Sequence, residues 1–311
     1  MIDINKDKSM LLKGIAILLV LLGHLEYVYK GGTFGVNIFL ILSGYGIFLS
    51  YKENRLKNYF IKKITKVYIP FLLVGTLYSL YGYFTKAIGL RSLAFSLVGL
   101  DFGYIYDKTM WYISYIFIMY IMFYIAAIIT KRIKKEDISH LLIIAICIIG
   151  SYLVYRLDIK YAIFSRGAGL FLYRYSFVFG LILAYLSKFK VNINVKRVVC
   201  SVICTASLIT TFLVYKKTDI ETYYYLYALS IPFAAICVCE IFDIKVKALS
   251  FLGKYSYDIY LWEGIFIYTF TLISNKYIND ILLITCCTLM SVIYRKFVID
   301  NALKLIKKES K

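Results

Sequence analysis

The sequence predicts an all-α fold, a polytopic membrane bundle of about ten transmembrane helices with both termini cytoplasmic. Three observations carry this. First, 61% of the 311 residues are hydrophobic and the mean hydropathy is +0.74, well above the roughly 45–50% apolar content of soluble domains. Second, apolar runs of about 18 residues or more recur along the whole length, interrupted by just two prolines. Third, the basic residues alternate. With the N-terminus inside, about 26 of the 37 Lys and Arg fall in inward-facing segments and about 11 in outward-facing ones, the asymmetry that orients membrane helices.

The spans are expected at about 11–29, 33–51, 67–84, 110–130, 138–156, 168–187, 197–215, 223–241, 258–274 and 280–299. The short charged start, Met1 to Ser9, looks like the n-region of a signal peptide. No small-residue cleavage site follows it, and a second apolar run comes almost at once, so the first span is expected to be retained. The clearest inward segments are K-E-N-R-L-K-N-Y-F-I-K-K-I-T-K (52–66) and K-R-I-K-K-E-D (131–137). A longer outward stretch, about 85–108, contains Arg91 and the turn-like Asp101-Phe102-Gly103. No repeat, low-complexity tract or linker divides the chain, so one membrane domain over 1–311 is expected, with no appended extracytoplasmic domain.

The net charge of +19 does not point to nucleic acid, because the lysines and arginines sit in short loops between apolar runs. Attraction to anionic membrane lipids, on the order of 1 kcal/mol per residue near the surface, accounts for most of them. A polyanionic cytosolic ligand is the sharper alternative. The seven cysteines all lie in apolar runs. Cys200 and Cys204 share a helix face, but no His or carboxylate stands at ligand spacing beside them, so they read as packing residues.

Few residues within the apolar runs can do chemistry. Lys13 and His24 are eleven residues apart, which on a helix places them on one face within roughly 20° and about 16 Å apart. The chain's other histidine is His140. Arg174, in F-L-Y-R-Y-S-F, is expected a turn or two inside the sixth span. There an arginine costs at least about 2.5 kcal/mol unless it snorkels, pairs or lines a wet cavity. It would bind an anionic group or pair with Glu263. Trp111 stands where an interfacial anchor is expected. Tyr257, Tyr260 and Glu263 recur at threes and so share a face.

The run K-G-I-A-I-L-L-V-L-L-G-H (13–24), followed by G-V-N-I-F-L-I-L-S-G-Y (35–45), resembles the opening of the acyltransferase 3 family of integral-membrane O-acyltransferases. Lys13 stands where that family carries an arginine separated by ten intervening residues from its histidine. Asn37, Phe39, Ser43 and Gly44 match the pattern of its second span, with Leu40 for a usual Phe. Lys62, Lys63 and Lys66 before Pro70 resemble the family's basic motif, to which the resemblance assigns coenzyme A binding. Here lysines replace arginines and lose the bidentate fork. M-W-Y-I-S (110–114) resembles the start of the family's fourth span, and S-Y-D-I-Y-L-W-E (256–263) its S-Y-x-I-Y-L-x-H segment, with Glu263 for the histidine.

The resemblance implies transfer of a short acyl group, acetyl first among them, from cytosolic acyl-CoA to a hydroxyl of a cell-surface or lipid-linked glycan. Acetyl-CoA would be a donor substrate rather than a resident cofactor. His24 is then the expected base, with Glu263 as a second catalytic group. Lys13, Lys62, Lys63 and Lys66 would meet the donor phosphates. Asn37, Ser43, Trp111, Arg174, Tyr257 and Tyr260 would contact acceptor or oxyanion. The expected setting is the bacterial cytoplasmic membrane, with the chain forming an oligomer or passing the acyl group to a separate protein. A glycan-precursor flippase, a polysaccharide polymerase and a family member with lapsed or altered chemistry remain as alternatives. A labelled acyl donor separates them.

Overall fold

The computed structural model describes residues 2–97, 110–161, 169–215, 221–242 and 244–301. It is 84% helix, with no strand among the described residues. The helices are α1 (Lys6–His24), α2 (Gly31–Asn54), α3 (Tyr59–Lys63), α4 (Ile69–Phe84), α5 (Leu90–Leu97), α6 (Trp111–Thr130), α7 (Glu136–Tyr161), α8 (Ser176–Leu186), α9 (Ile193–Tyr215), α10 (Glu221–Ile241), α11 (Lys247–Thr269) and α12 (Lys276–Tyr294). One turn of π-helix joins α3 to α4, another follows α12, and a 3-10 turn at Leu170–Leu172 precedes α8. Among the described residues, seven helices are long and apolar enough to cross a membrane. They are α2, the continuous helix from Tyr59 to Phe84, α6, α7, α9, α10 and the helix Lys276–Ile299, with Leu170–Leu186 as a shorter apolar segment.

The chain forms two compact units. The first comprises Met1–Leu56, Ile116–Ala162 and Gly169–Gly253; the second takes in 57–115 and 254–301 of the described residues. In the first unit α2 is the hub, packed on α1, α8 and α10. Its buried residues, among them the consecutive run Phe34 to Ile38, lie on every side of the helix, as expected of one enclosed all round. Backbone approach makes that packing close. A Cβ at Gly180 would overlap the carbonyl of Ile41 and lie 2.7 Å from the Tyr45 amide, and one at Gly44 would overlap the Phe177 carbonyl. Gly14 of α1 meets the Leu249 carbonyl in the same manner.

The ends of the first unit's helices are tied by side chains. Asn5 caps α1 by accepting from the Lys8 amide at 2.9 Å. Lys8 donates to Glu240 at 2.6 Å, and Lys196 also pairs with this carboxylate, which is 1% exposed. Arg55 pairs with Glu136 and Lys188 with Asp137, both at the surface. The Asp137 hydrogen bond raises the Lys188 ammonium above its ordinary pKa. Such exposed pairs contribute little to stability.

In the second unit tyrosine hydroxyls do the tying. Tyr257 donates to the Val67 carbonyl at 2.7 Å and Tyr294 to the Pro70 carbonyl at 2.9 Å. Tyr78 donates to the Leu261 carbonyl at 3.3 Å and accepts from the Ile265 amide at 2.6 Å. Proline lacks the N–H that would bond back one turn. The π turn Ile64–Tyr68 takes up that defect immediately before Pro70.

Several expected boundaries move. The first helix ends at His24, not near 29, because the chain reverses through Leu25 to Lys30 with Glu26 and Lys30 left-handed, at φ 66° and 58°. The amide of Tyr27 reaches back to the Leu22 carbonyl at 2.8 Å. The third helix starts at Tyr59, not 67. Nothing in 59–66 breaks a helix, and the turn is made earlier, where Arg55 and Asn58 are left-handed. Lys62, Lys63 and Lys66 therefore stand on helical turns. Pro70 sits in the first turn of α4, directly after the π turn that joins α3 to α4. The ninth span begins at Lys247, eleven residues before 258. Asp101-Phe102-Gly103 and Arg166 lie outside the described residues.

Candidate functional site

His24 is the last residue of α1 and is half-buried. The tight return to α2 brings the two helices together through glycines. A Cβ on Gly31 would come 3.0 Å from the Gly23 Cα, while one on Gly32 would lie 3.6 Å from His24 Nε2. The imidazole thus rests beside Gly32. Lys13 is half-buried on the same helix, eleven residues back and so about 16 Å below on the same face. The structure keeps the pair on one continuous helix but moves His24 from the interior of a span to the helix end.

A cavity of about 240 Å³ opens along the first turn of α2 and is lined by Lys30, Thr33, Phe171, Tyr224, Tyr227 and Ala228, among others. Its walls are built from three parts of the first unit. Tyr227, on α10, packs edge-on against Phe34 with ring centroids 5.0 Å apart. The Thr33 hydroxyl accepts from Tyr173 at 3.2 Å. Asn37, one turn further along α2 and fully buried, accepts from Ser176 at 2.5 Å and donates to the Ala228 carbonyl at 3.0 Å. Asn37 therefore fastens α2 to α8 and α10 directly behind the cavity. Ser43 lies two turns deeper, half-buried and hydrogen-bonded to Tyr120.

Arg174 lies in the turn before α8, not inside a helix. Its guanidinium sits 4.9 Å from the Tyr155 ring, 5.0 Å from Tyr225 and 5.3 Å from Tyr175. Three aromatic faces solvate the charge, each contact being worth roughly 0.5–2 kcal/mol. Among the described residues Arg174 Nε has no hydrogen-bond partner.

The remaining candidates belong to the second unit. Lys62 and Lys66 are exposed, and Lys63 lies over the Tyr59 ring at 5.9 Å. Trp111 packs against Tyr112 and Tyr115, and Tyr260 edge-on against Tyr112 at 5.5 Å. The Tyr257 hydroxyl is engaged with the Val67 carbonyl. Glu263 is completely buried, one turn beyond Ile259, whose carbonyl meets the Cys287 thiol at 3.6 Å. Asp258 and Arg295 form a further buried pair, 3.6 Å apart.

The structure thus brings His24, Asn37 and Arg174 to one end of the first unit, joined by Lys30, Thr33, Tyr173, Ser176, Tyr224 and Tyr227, none of which sequence reasoning singled out. A signal was present. Aromatic density peaks in F-L-Y-R-Y-S (171–176) and Y-Y-Y-L-Y (223–227), and both segments supply cavity residues. What the sequence could not give was that these two segments converge on the start of α2.

No curated protein and no solved structure matches the chain. A family model does: the acyltransferase domain of the acyltransferase 3 family matches residues 8–294. That match runs from the first turn of α1, through both segments carrying the Lys13–His24 and Asn37–Ser43 patterns, to the end of α12. The chain belongs to the acyltransferase 3 family of membrane acyltransferases.

Proposed function

We propose that this membrane acyltransferase moves a short acyl group, acetyl in the first instance, from cytosolic acyl-CoA to a hydroxyl of a cell-surface or lipid-linked glycan. The topology we assign is ten spans with both ends inside, α1 and α11 being counted with the more apolar helices. The observation that carries the reading is the position of His24, at the end of α1 against Gly32 in the first turn of α2, about 16 Å along one helix face from Lys13.

The chemistry follows from that placement. The acceptor oxygen attacks the thioester carbonyl carbon while a His24 ring nitrogen takes the hydroxyl proton. The tetrahedral intermediate collapses, the C–S bond breaks, and the imidazolium returns the proton to the departing thiolate. Neutral imidazole suits this role, since its unperturbed pKa is near 6.5. Lys13, at the inner end of the same face, would hold donor phosphate as a point charge. Asn37, whose amide is taken up by Ser176 and Ala228, acts by positioning the start of α2. In the second unit, Lys62, Lys63 and Lys66 remain candidates for coenzyme phosphates by family resemblance, and Glu263 for a catalytic carboxyl. Trp111, Tyr257 and Tyr260 remain candidates for acceptor contact.

The test is transfer of radiolabelled acetyl from acetyl-CoA to glycan in membranes carrying wild type or His24→Ala at equal levels. Loss of about 100-fold or more in the variant is expected from removal of a general base. Label retained at the wild-type rate overturns the role of His24. No transfer by the wild type with any short acyl-CoA overturns the reaction.

A further inference from the structure

The cavity at the start of α2 plays no part in the proton transfer assigned to His24, yet it lies against that residue's neighbours. We propose that it seats one sugar ring of the acceptor, and that the ring it selects carries a carboxylate. The inference rests on the reading of His24 as the base.

Size comes first. A cavity of about 240 Å³ falls just under the roughly 300–1,000 Å³ of pockets for drug-sized ligands, so it admits one ring rather than a chain of them. The walls come next. Phe171, Tyr224 and Tyr227 line it, and the Tyr227 ring is steadied by Phe34 at 5.0 Å and Tyr29 at 6.5 Å. Rigid aromatic faces with a few placed polar groups are what bind the C–H face of a pyranose. Thr33 accepts from Tyr173, which leaves its own hydroxyl proton to donate. Thr33 follows Gly32, beside which His24 Nε2 rests, so the cavity and the base meet the same first turn of α2.

Charge selects among rings. Lys30 lines the cavity with its ammonium 5.6 Å over the Tyr29 ring, and Arg174, two residues after the lining residue Leu172, sits over Tyr225, which follows the lining residue Tyr224. Among the described residues neither cation lies within ion-pair distance of a carboxylate. Glu26, the acid of the same connection, is exposed and pairs with neither. Two cations balanced by aromatic faces rather than by carboxylates leave a positive potential at the cavity mouth. A uronic acid satisfies walls and charge together.

The experiment is saturation-transfer NMR on the full chain in lipid nanodiscs, with methyl glucuronide, methyl glucoside and hexanoate as probes. The glucuronide should bind about tenfold more tightly than the glucoside, one charge–charge contact's worth. Lys30→Glu should abolish that preference while the glucoside still binds. Tyr227→Ala should remove both sugars, and Tyr227→Phe, which keeps the ring, should restore them. Equal binding of the two sugars, or an unchanged preference in Lys30→Glu, overturns the charge selection. Hexanoate binding with neither sugar overturns the site, making it an acyl-chain pocket. Each outcome is read without acyl transfer, so the site can fail while the acetyl-transfer assay stands, and the reverse.

Discussion

The α2 core of the first unit and the Asp258 region of the second handle buried polar groups differently. In the first, the polar side chains that fasten α2 to its neighbours are satisfied, while His140 Nε2, Arg174 Nε and the Tyr225 hydroxyl have no hydrogen-bond partner among the described residues. Asn37 serves Ser176 and Ala228, Thr33 serves Tyr173, and Glu240 holds Lys8 and Lys196. The helices around them touch backbone to backbone. In the second, Asp258 faces Arg295 at 3.6 Å, and no other described residue donates a hydrogen bond to its oxygens; Trp262 Nε1 likewise has no partner among the described residues. Two π turns interrupt the helices there. Satisfied networks with close packing fix one geometry, whereas unsatisfied groups and π turns mark places that a ligand, water or movement completes. The α2 core is thus fixed by its own side chains, and the Asp258 region, like the Arg174 turn of the first unit, retains groups for something else to meet.

The sharpest way to break the contrast is Gly180→Val. A side chain there meets backbone on α2, at Ile41 and Tyr45, and backbone cannot yield as a flexible side chain does. The expected cost is at least about 3 kcal/mol, enough to remove monodisperse protein from nanodisc preparations or to lower its melting midpoint steeply. Both tryptophans, Trp111 and Trp262, are buried in the second unit, so indole emission reports on that unit alone. Native-like emission in Gly180→Val would show that the second unit holds without the first. Asn37→Leu comes next in size. It orphans the Ser176 hydroxyl and the Ala228 carbonyl, at about 1–3 kcal/mol for each group. Adding Ser176→Ala removes one orphan and should recover about 1 kcal/mol of that loss in the same melting measurement.

Much of this was legible before the structure. Apolar run length gave the helical segments, since a helix must satisfy its own backbone in lipid, and the spacing of Lys13 and His24 gave their shared face. The end of α1 was not legible. Leu25 to Tyr29 is apolar enough to continue a helix, and the reversal is made by left-handed Glu26 and Lys30, residues with no propensity for that conformation. Nor was the early start of the third helix, because lysines form helices well and charge was read as loop. The cavity was the least visible part. It depends on long-range pairing of residues 30–33, 171–172 and 224–228, which no local periodicity encodes. Asn37 read as a ligand group from its motif, and that it also fastens α2 to Ser176 and Ala228 lies wholly in long-range partners.

The smallest expected effect sharpens the contrast most. Breaking a buried ion pair at one end leaves a charge stranded, whereas replacing both ends with apolar residues of similar volume is often neutral or stabilising by about 1–4 kcal/mol. The Asp258 side chain is buried at 1% exposure and that of Arg295 half-buried at 29%, and Asp300 lies 3.9 Å from Arg295. If the pair were structural, Asp258→Asn would destabilise by leaving Arg295 to Asp300 alone. The longer separation and the missing hydrogen bonds argue that its Coulomb gain scarcely offsets the cost of burial. The double variant Asp258→Leu/Arg295→Met should therefore melt within about 1 kcal/mol of wild type or above it, read by indole emission. A drop comparable to that of Asn37→Leu would place both regions under the same rule and erase the difference between them. Unchanged stability together with impaired acetyl transfer would show that the second unit keeps this pair for function.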